Sequence, residues 1–163
     1  MKKMILVVYG NPLEGKYLKY EPKLCVGCGG KNFKVDLSPY KKVILFGTCG
    51  ALYRTVPLGE FVIEEHPEDI LHSKFIQVEH PVHAKREADD IRFNAWKELV
   101  AVEMENWRVR RECERQGVPM EIIKFPSDYC DHKAMPMGIN HFWRKYNLRH
   151  MQRKFDEYMA KNQ

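Results

Sequence analysis

Leu99-Val100-Ala101-Val102-Glu103-Met104-Glu105-Asn106-Trp107, running on through Gly117-Val118-Pro119 to Glu121-Ile122-Ile123-Lys124-Phe125-Pro126-Ser127-Asp128, reads as strand, helix, strand. Leu99 to Met104 has strand character, and Trp107 to Gln116 is helical. Gly117-Val118-Pro119 stops that helix, since glycine accepts the left-handed cap and proline cannot continue the turn. Glu121 to Phe125 is the last predicted strand. Each apolar run ends near a carboxylate. Glu105 follows the first strand and opens the helix, and Asp128 follows the second, beside Ser127. In an open α/β sheet, strand ends are where ligands bind. Strands alternating with helices late in the chain favour a three-layer αβα fold.

Working outward, residues 4–9 predict a short buried strand that ends at Gly10. Residues 13–19 suit one or two helical turns. Leu24-Cys25-Val26 is a weak strand before the glycine-rich stretch from Gly27 to Gly30. Lys42-Val43-Ile44-Leu45-Phe46 is a strong strand running into a turn at Gly47-Thr48-Cys49-Gly50. Pro57-Leu58-Gly59 is a turn, followed by strands over Glu60 to Glu64 and Phe75 to Val78. Residues 85–98 read as a helix with Ile91, Ala95 and Leu99 on one face. The tail from Asn140 to Met159 reads as another, with Phe142, Tyr146, Phe155 and Met159 at helical spacing. Without repeat, linker or low-complexity segment, residues 1–163 read as one domain.

Composition narrows the class. The 163 residues are 44% hydrophobic and 30% charged, which suits a folded globular chain. No apolar run approaches the ~20 residues that span a bilayer. The basic start before residues 4–9 is too short in its apolar part for a secretory signal, so a buried first strand is expected there. The net charge of +5 permits acidic ligands without demanding nucleic acid. Five cysteines form an odd set with no framework, which points to a reducing, cytoplasmic setting.

The two strand-end acids carry the chemistry. One carboxylate can accept hydrogen bonds from two ribose hydroxyls, and another can give a proton to a leaving group if its site raises its pKa. That pairing suits cleavage of a bond to a sugar. Both acids also suit helix caps or first turns, where the helix dipole favours negative charge.

Further blocks bear on the choice. Gly10-Asn11-Pro12-Leu13 followed by Lys16-Tyr17 resembles the first phosphate loop of the purine nucleoside phosphorylase, uridine phosphorylase and methylthioadenosine nucleosidase family, Gly-Asp-Pro-Leu-Arg-x-Lys-Tyr. Gly47-Thr48-Cys49-Gly50-Ala51 resembles its central glycine turn, and Val56-Pro57-Leu58-Gly59-Glu60-Phe61-Val62-Ile63 the strand after it. Val102-Glu103-Met104-Glu105 resembles the nucleoside-binding block, and Ser127-Asp128 the catalytic pair of purine-specific members. These blocks stand in family order. The resemblance implies a reduced three-layer αβα fold with a central mixed sheet, and an enzyme that cleaves the N-glycosidic bond of a purine nucleoside or a related compound, by hydrolysis or phosphorolysis. Glu105 would bind the ribose hydroxyls, Met104 would pack under the sugar and Val102 would wall the base. Asp128, beside Ser127, would protonate the purine N7. Thr48, with Gly47 and Gly10, would line the side of the nucleophile or phosphate. A homo-oligomer binding a small-molecule nucleoside is the implied assembly, with no metal or other cofactor.

The chain also departs from the family pattern. Glu14 stands where the first loop carries arginine, and Leu45 stands where many members carry another. A phosphate dianion beside Glu14 without those guanidiniums is repelled rather than clamped. Phosphate is therefore a doubtful co-substrate, water gains as nucleophile, and Glu14 is a candidate base. The chain is much shorter than typical members, with compressed segments before Gly47 and between Ile63 and Val102. Two other readings stay open: a nucleoside- or nucleotide-binding protein without turnover, and an RNA-binding protein using Arg144, Lys145, Arg149, Arg153 and Lys154 of the tail helix, with Trp143 and Tyr146 interleaved. A solvated helix face explains that basic tail better, so nucleic acid is not the expected partner. Cys25 and Cys28 have metal or redox spacing, and only His80 and His83 could complete a four-ligand set. The Gly27–Gly30 glycines are better explained by close backbone approach than by a phosphate cradle.

Overall fold

The computed structural model describes residues 4–65, 72–79, 82, 85–130 and 137–162, with only the backbone for 137–147. In chain order the elements are β1 (Met4–Tyr9), α1 (Pro12–Gly15), β2 (Lys23–Cys25), β3 (Tyr40–Ala51), β4 (Val62–Glu64), β5 (Phe75–Gln77), α2 (Lys85–Phe93), β6 (Ala101–Glu103), α3 (Asn106–Gln116), β7 (Met120–Tyr129) and α4 (Met137–Lys161). The strands make one seven-stranded mixed sheet centred on β3.

Pairing along β3 creates the feature on which the site depends. β7 runs parallel to one edge of β3 from Val43 to Ala51. A strand has two edges, so β1 and β6 must share the other. β1 lies parallel to the lower part, up to Val8↔Leu45, and β6 lies antiparallel to Gly50 and Ala51. Because these two strands run in opposite senses, their C-terminal ends converge on the interval beside residues 46–49. β5 extends the sheet beyond β6, β2 extends it beyond β1, and β4 pairs antiparallel with β7.

Period-two alternation sorts the strand side chains onto two faces. Ile5, Val7, Ile44, Phe46, Ile123 and Phe125 pack against Leu148, Met151, Phe155 and Met159 of α4. Those α4 residues recur at helical spacing, so one stripe faces the sheet. Phe46 and Phe155 lie 4.3 Å apart at their ring centroids. On the opposite face Leu6, Val8, Val43, Leu45 and Ile122 pack against Val109 and Cys113 of α3 and against Val26, Phe33 and Leu37. The result is helix, sheet, helix, as the alternation predicts. No helix among the described residues is long and apolar enough to cross a membrane.

Several element ends differ from the sequence reading. Gly47-Thr48-Cys49-Gly50 is not a turn but part of β3, because β7 supplies ladder partners along it. β7 reaches Tyr129, so Asp128 lies inside the strand rather than after it. The register steps from Cys49↔Pro126 to Gly50↔Asp128, which leaves Ser127 as the extra residue of a bulge. α1 is a single turn, and α2 ends at Phe93 rather than at residue 98. The side chains of Phe142 and Tyr146, and those of the basic tail from Trp143 to Lys145, lie outside the described residues.

Candidate active site

Glu14 reaches the interval on β3 from α1. Asn11 caps this turn with its side chain on Leu13 N, 2.9 Å away, and Pro12 opens it. Glu14 Oε2 accepts from Gly10 N and Asn11 N, each at 3.1 Å. Its Oε1 accepts from Thr48 N and Thr48 Oγ1, each at 2.8 Å. The carboxylate is thus buried in a cradle of donors. Burial raises its pKa, with help from the Glu105 charge, and outweighs the opposing pull of Lys124 and the Thr48 donors. A Cβ on Gly47 would stand 2.8 Å from Glu14 Oε1, so only glycine lets the carboxylate lie against β3 there.

Lys124 sits on β7 directly opposite Gly47 and is fully buried. Its Nζ lies 2.7 Å from Glu105 Oε2 and 3.2 Å from Glu103 Oε2. Burial alone would lower its pKa, but Glu105, Glu103 and Glu14 together drive it upward, so it is held as a cation. Burial likewise raises Glu103 against the pull of Lys124. For Glu105 burial pushes up, but the Lys124 ammonium and the hydrogen bonds at the site win, and its pKa falls below the ordinary value. The site therefore holds one carboxylate kept ionised, Glu105, beside one that holds protons more tightly, Glu14.

The helix-cap reading of Glu105 fails in its chemistry. Glu105 occupies the N-cap position of α3 but makes no side-chain cap bond. Glu103 does that work, accepting from Glu105 N at 2.7 Å and from Asn106 N at 2.9 Å. Glu105 is thereby turned toward Lys124 and Gly10, where a Cβ would meet its Oε1 at 2.2 Å.

The other expected site residues divide between two neighbourhoods. Gly10, Gly47 and Thr48 belong to the Glu14 cradle. Asp128 lies further along, beside Gly50, where an added Cβ would meet Cys130 Sγ at 2.8 Å, Val102 Cγ2 at 3.1 Å and Asp128 Oδ1 at 3.4 Å. Val102 is buried, while Met104, Ser127 and Asp128 are half-buried. Glu105 follows β6 on one side of β3 and Asp128 lies in β7 on the other, so both attend the same end of the central strand. Leu45, at the missing arginine, is core.

Sequence reasoning missed Lys124 and Glu103. The signal for Lys124 was present: a cation inside the apolar run Glu121-Ile122-Ile123-Lys124-Phe125 must be buried with a partner. The glycine-rich stretch does serve close approach, since Arg108 Nη1 donates to Gly29 O at 2.8 Å and a Gly29 Cβ would be 3.0 Å from that nitrogen. None of the five cysteines is in a disulfide. No group of three or more metal-ligating side chains occurs among the described residues, and His80 and His83 lie outside them.

No family model matches the sequence, and no curated protein matches it. Solved structures do match in shape. A mutant of the Helicobacter pylori nucleosidase MTAN with 5′-methylthioadenosine in its active site superposes with a TM-score of 0.75 at 15% identity, covering 100% of both chains. The futalosine hydrolase of Helicobacter pylori gives 0.74 at 14% identity, over 99% of this chain and 98% of that one. The 5′-methylthioadenosine/S-adenosylhomocysteine nucleosidase of Neisseria meningitidis gives 0.69 at 16% identity, over 92% and 96%. With its mixed seven-stranded sheet between helices, this chain has the nucleoside phosphorylase-like α/β fold of these nucleosidases.

Proposed function

We propose that residues 1–163 form one nucleoside phosphorylase-like domain that hydrolyses the N-glycosidic bond of a purine nucleoside or a related compound. The observation that carries this reading is the Glu14 carboxylate in its cradle of Gly10, Asn11 and Thr48 donors. An inorganic anion would need those donors, and the chain's own carboxylate holds them. Water is therefore the nucleophile. Glu14, with its raised proton affinity, takes a proton from water as the oxygen bonds to C1′. Glu105, kept ionised beside Lys124, accepts from the ribose hydroxyls. Asp128 gives its proton to N7 as the C1′–N bond breaks, so that the base leaves neutral. Met104 supports the sugar, Val102 walls the base and Ser127 accompanies Asp128. The cradle at Gly47 and the acid beside Gly50 both lie at the C-terminal end of β3. The likeness of fold to enzymes named nucleosidases and hydrolases supports the same class. The odd set of five cysteines suits a reducing cytoplasm.

The test is release of free base from 5′-methylthioadenosine and from adenosine, with and without inorganic phosphate. Free purine and free sugar should form at the same rate in both, and Glu14→Gln should lose on the order of 10²-fold or more in kcat. Formation of a sugar 1-phosphate would restore phosphorolysis. Binding without turnover would leave a nucleoside-binding protein.

A further inference from the structure

α1 is one turn long, and an isolated turn has little stability of its own. Its N-terminal end is closed by Asn11 and Glu14. Its C-terminal end is closed by a residue far away in sequence. Gln152 of α4 is fully buried, its Nε2 donates to Leu13 O at 2.7 Å, and its Oε1 accepts from Tyr17 N. Leu13 O and Tyr17 N stand four residues apart, the pair that would bond each other if the helix continued. The Gln152 amide is inserted between them as a surrogate peptide group and ends the turn there.

We propose that Gln152 is a positioning residue for Glu14: by ending α1 after one turn it fixes where the carboxylate meets Gly10, Asn11 and Thr48. This rests on the role given to Glu14 above. One further contact specifies the same placement. A Cβ on Gly15 would lie 2.0 Å from the Tyr9 ring, so α1 is seated directly on β1. Asp156, one turn further along α4, accepts from Lys19 N at 2.9 Å and from Tyr20 N at 3.0 Å. The chain leaving α1 is thus held by α4, and among the described side chains of α4 it is Gln152 that bonds to α1 itself. Glu14 is faced by Lys124 of β7 and by Glu105. The inserted amide is uncharged, so it places the carboxylate without adding to that field.

The experiment compares Gln152→Met, which keeps side-chain length and loses both bonds, with Gln152→Glu, which keeps the acceptor and sets an oxygen against Leu13 O. Asp156→Ala is the control for loosened docking of α4. Two readouts are taken. One is titration of the Glu14 carboxyl by carbon NMR in the ligand-free protein, which needs no activity. The other is the split between kcat and KM on 5′-methylthioadenosine. In both Gln152 variants Glu14 should titrate closer to an ordinary glutamate, because water reaches a group whose shift comes mainly from burial. Its kcat should fall on the order of 10²-fold with KM little changed, as expected for a reacting group displaced by about 1 Å. Asp156→Ala should lose stability with kcat and the Glu14 titration unchanged. An unmoved Glu14 titration in a folded Gln152 variant, or an equal shift in Asp156→Ala, overturns the proposal. A moved titration in a protein that cleaves no nucleoside upholds the positioning and rejects the hydrolase reading instead.

Discussion

Replacing Lys124 by methionine tests the electrostatic centre of the site. The substitution keeps the apolar stem and removes the ammonium, which is fully buried and lies 2.7 Å and 3.2 Å from two carboxylates. Both carboxylates are themselves buried, so solvent does not screen the loss. Removing one partner of such a group leaves uncompensated charge, at a cost of about 3–5 kcal/mol. In a chain of 163 residues that lowers Tm on the order of 10 °C. The cost must depend on pH. Without the ammonium, Glu103, Glu105 and Glu14 all have folded pKa values above their unfolded ones. Such groups contribute full stability below the unfolded pKa and lose it as pH rises through the folded value. In the parent protein Glu105 behaves oppositely. Its folded pKa is depressed, so its contribution is present above the unfolded pKa and is lost as pH falls through the folded one. Urea unfolding of parent and variant at about pH 8 and about pH 5 should therefore show a large deficit that narrows on acidification. A deficit that is constant across that range, or below about 1 kcal/mol, would refute the claim that Lys124 neutralises a buried acidic cluster.

Three further outcomes follow from the same geometry. Gly10→Ala puts a methyl group 2.2 Å from Glu105 Oε1, so Glu105 must move, and KM for nucleoside should rise several-fold in steady-state assays while the fold persists. Asp128→Asn removes the proposed proton donor and should lower kcat about 10²-fold or more with nucleoside affinity retained by calorimetry, equal losses in both being contrary to the proposed role. Inorganic phosphate titrated calorimetrically should bind weakly to the parent and more tightly to Glu14→Arg, and tight binding by the parent would reverse the order of hydrolysis and phosphorolysis.

The layers of the fold were legible because they depend on local signals. The unbroken apolar run Val43-Ile44-Leu45-Phe46 and the helical spacing of Phe155 and Met159 each point one way wherever the chain goes. The extent of β3 and β7 was not legible, since Gly47, Gly50 and Pro126 are poor strand formers and sit in strands only because the facing strand supplies their partners, Lys124, Asp128 and Cys49. The same divide runs through the site. Glu14, Glu105 and Asp128 could be named from short blocks. The pairing of Glu105 with Lys124 arises from bringing β6 and β7 to the two edges of β3, which no single segment encodes.

The two strands that share an edge of β3 are not equally attached to it. β1 follows β3 along most of its own length, whereas β6 meets it only at Gly50↔Val102 and Ala51↔Ala101. β5 and β6 thus form a ribbon hung from the end of the central strand, and the acids at its tip, Glu103 and Glu105, are tied across the sheet to Lys124. The ion cluster is then a latch as much as a chemical centre. On the role proposed for Glu105, a sugar hydroxyl at its carboxylate would act directly on the latch, and amide exchange in β5 and β6 should change when nucleoside is added.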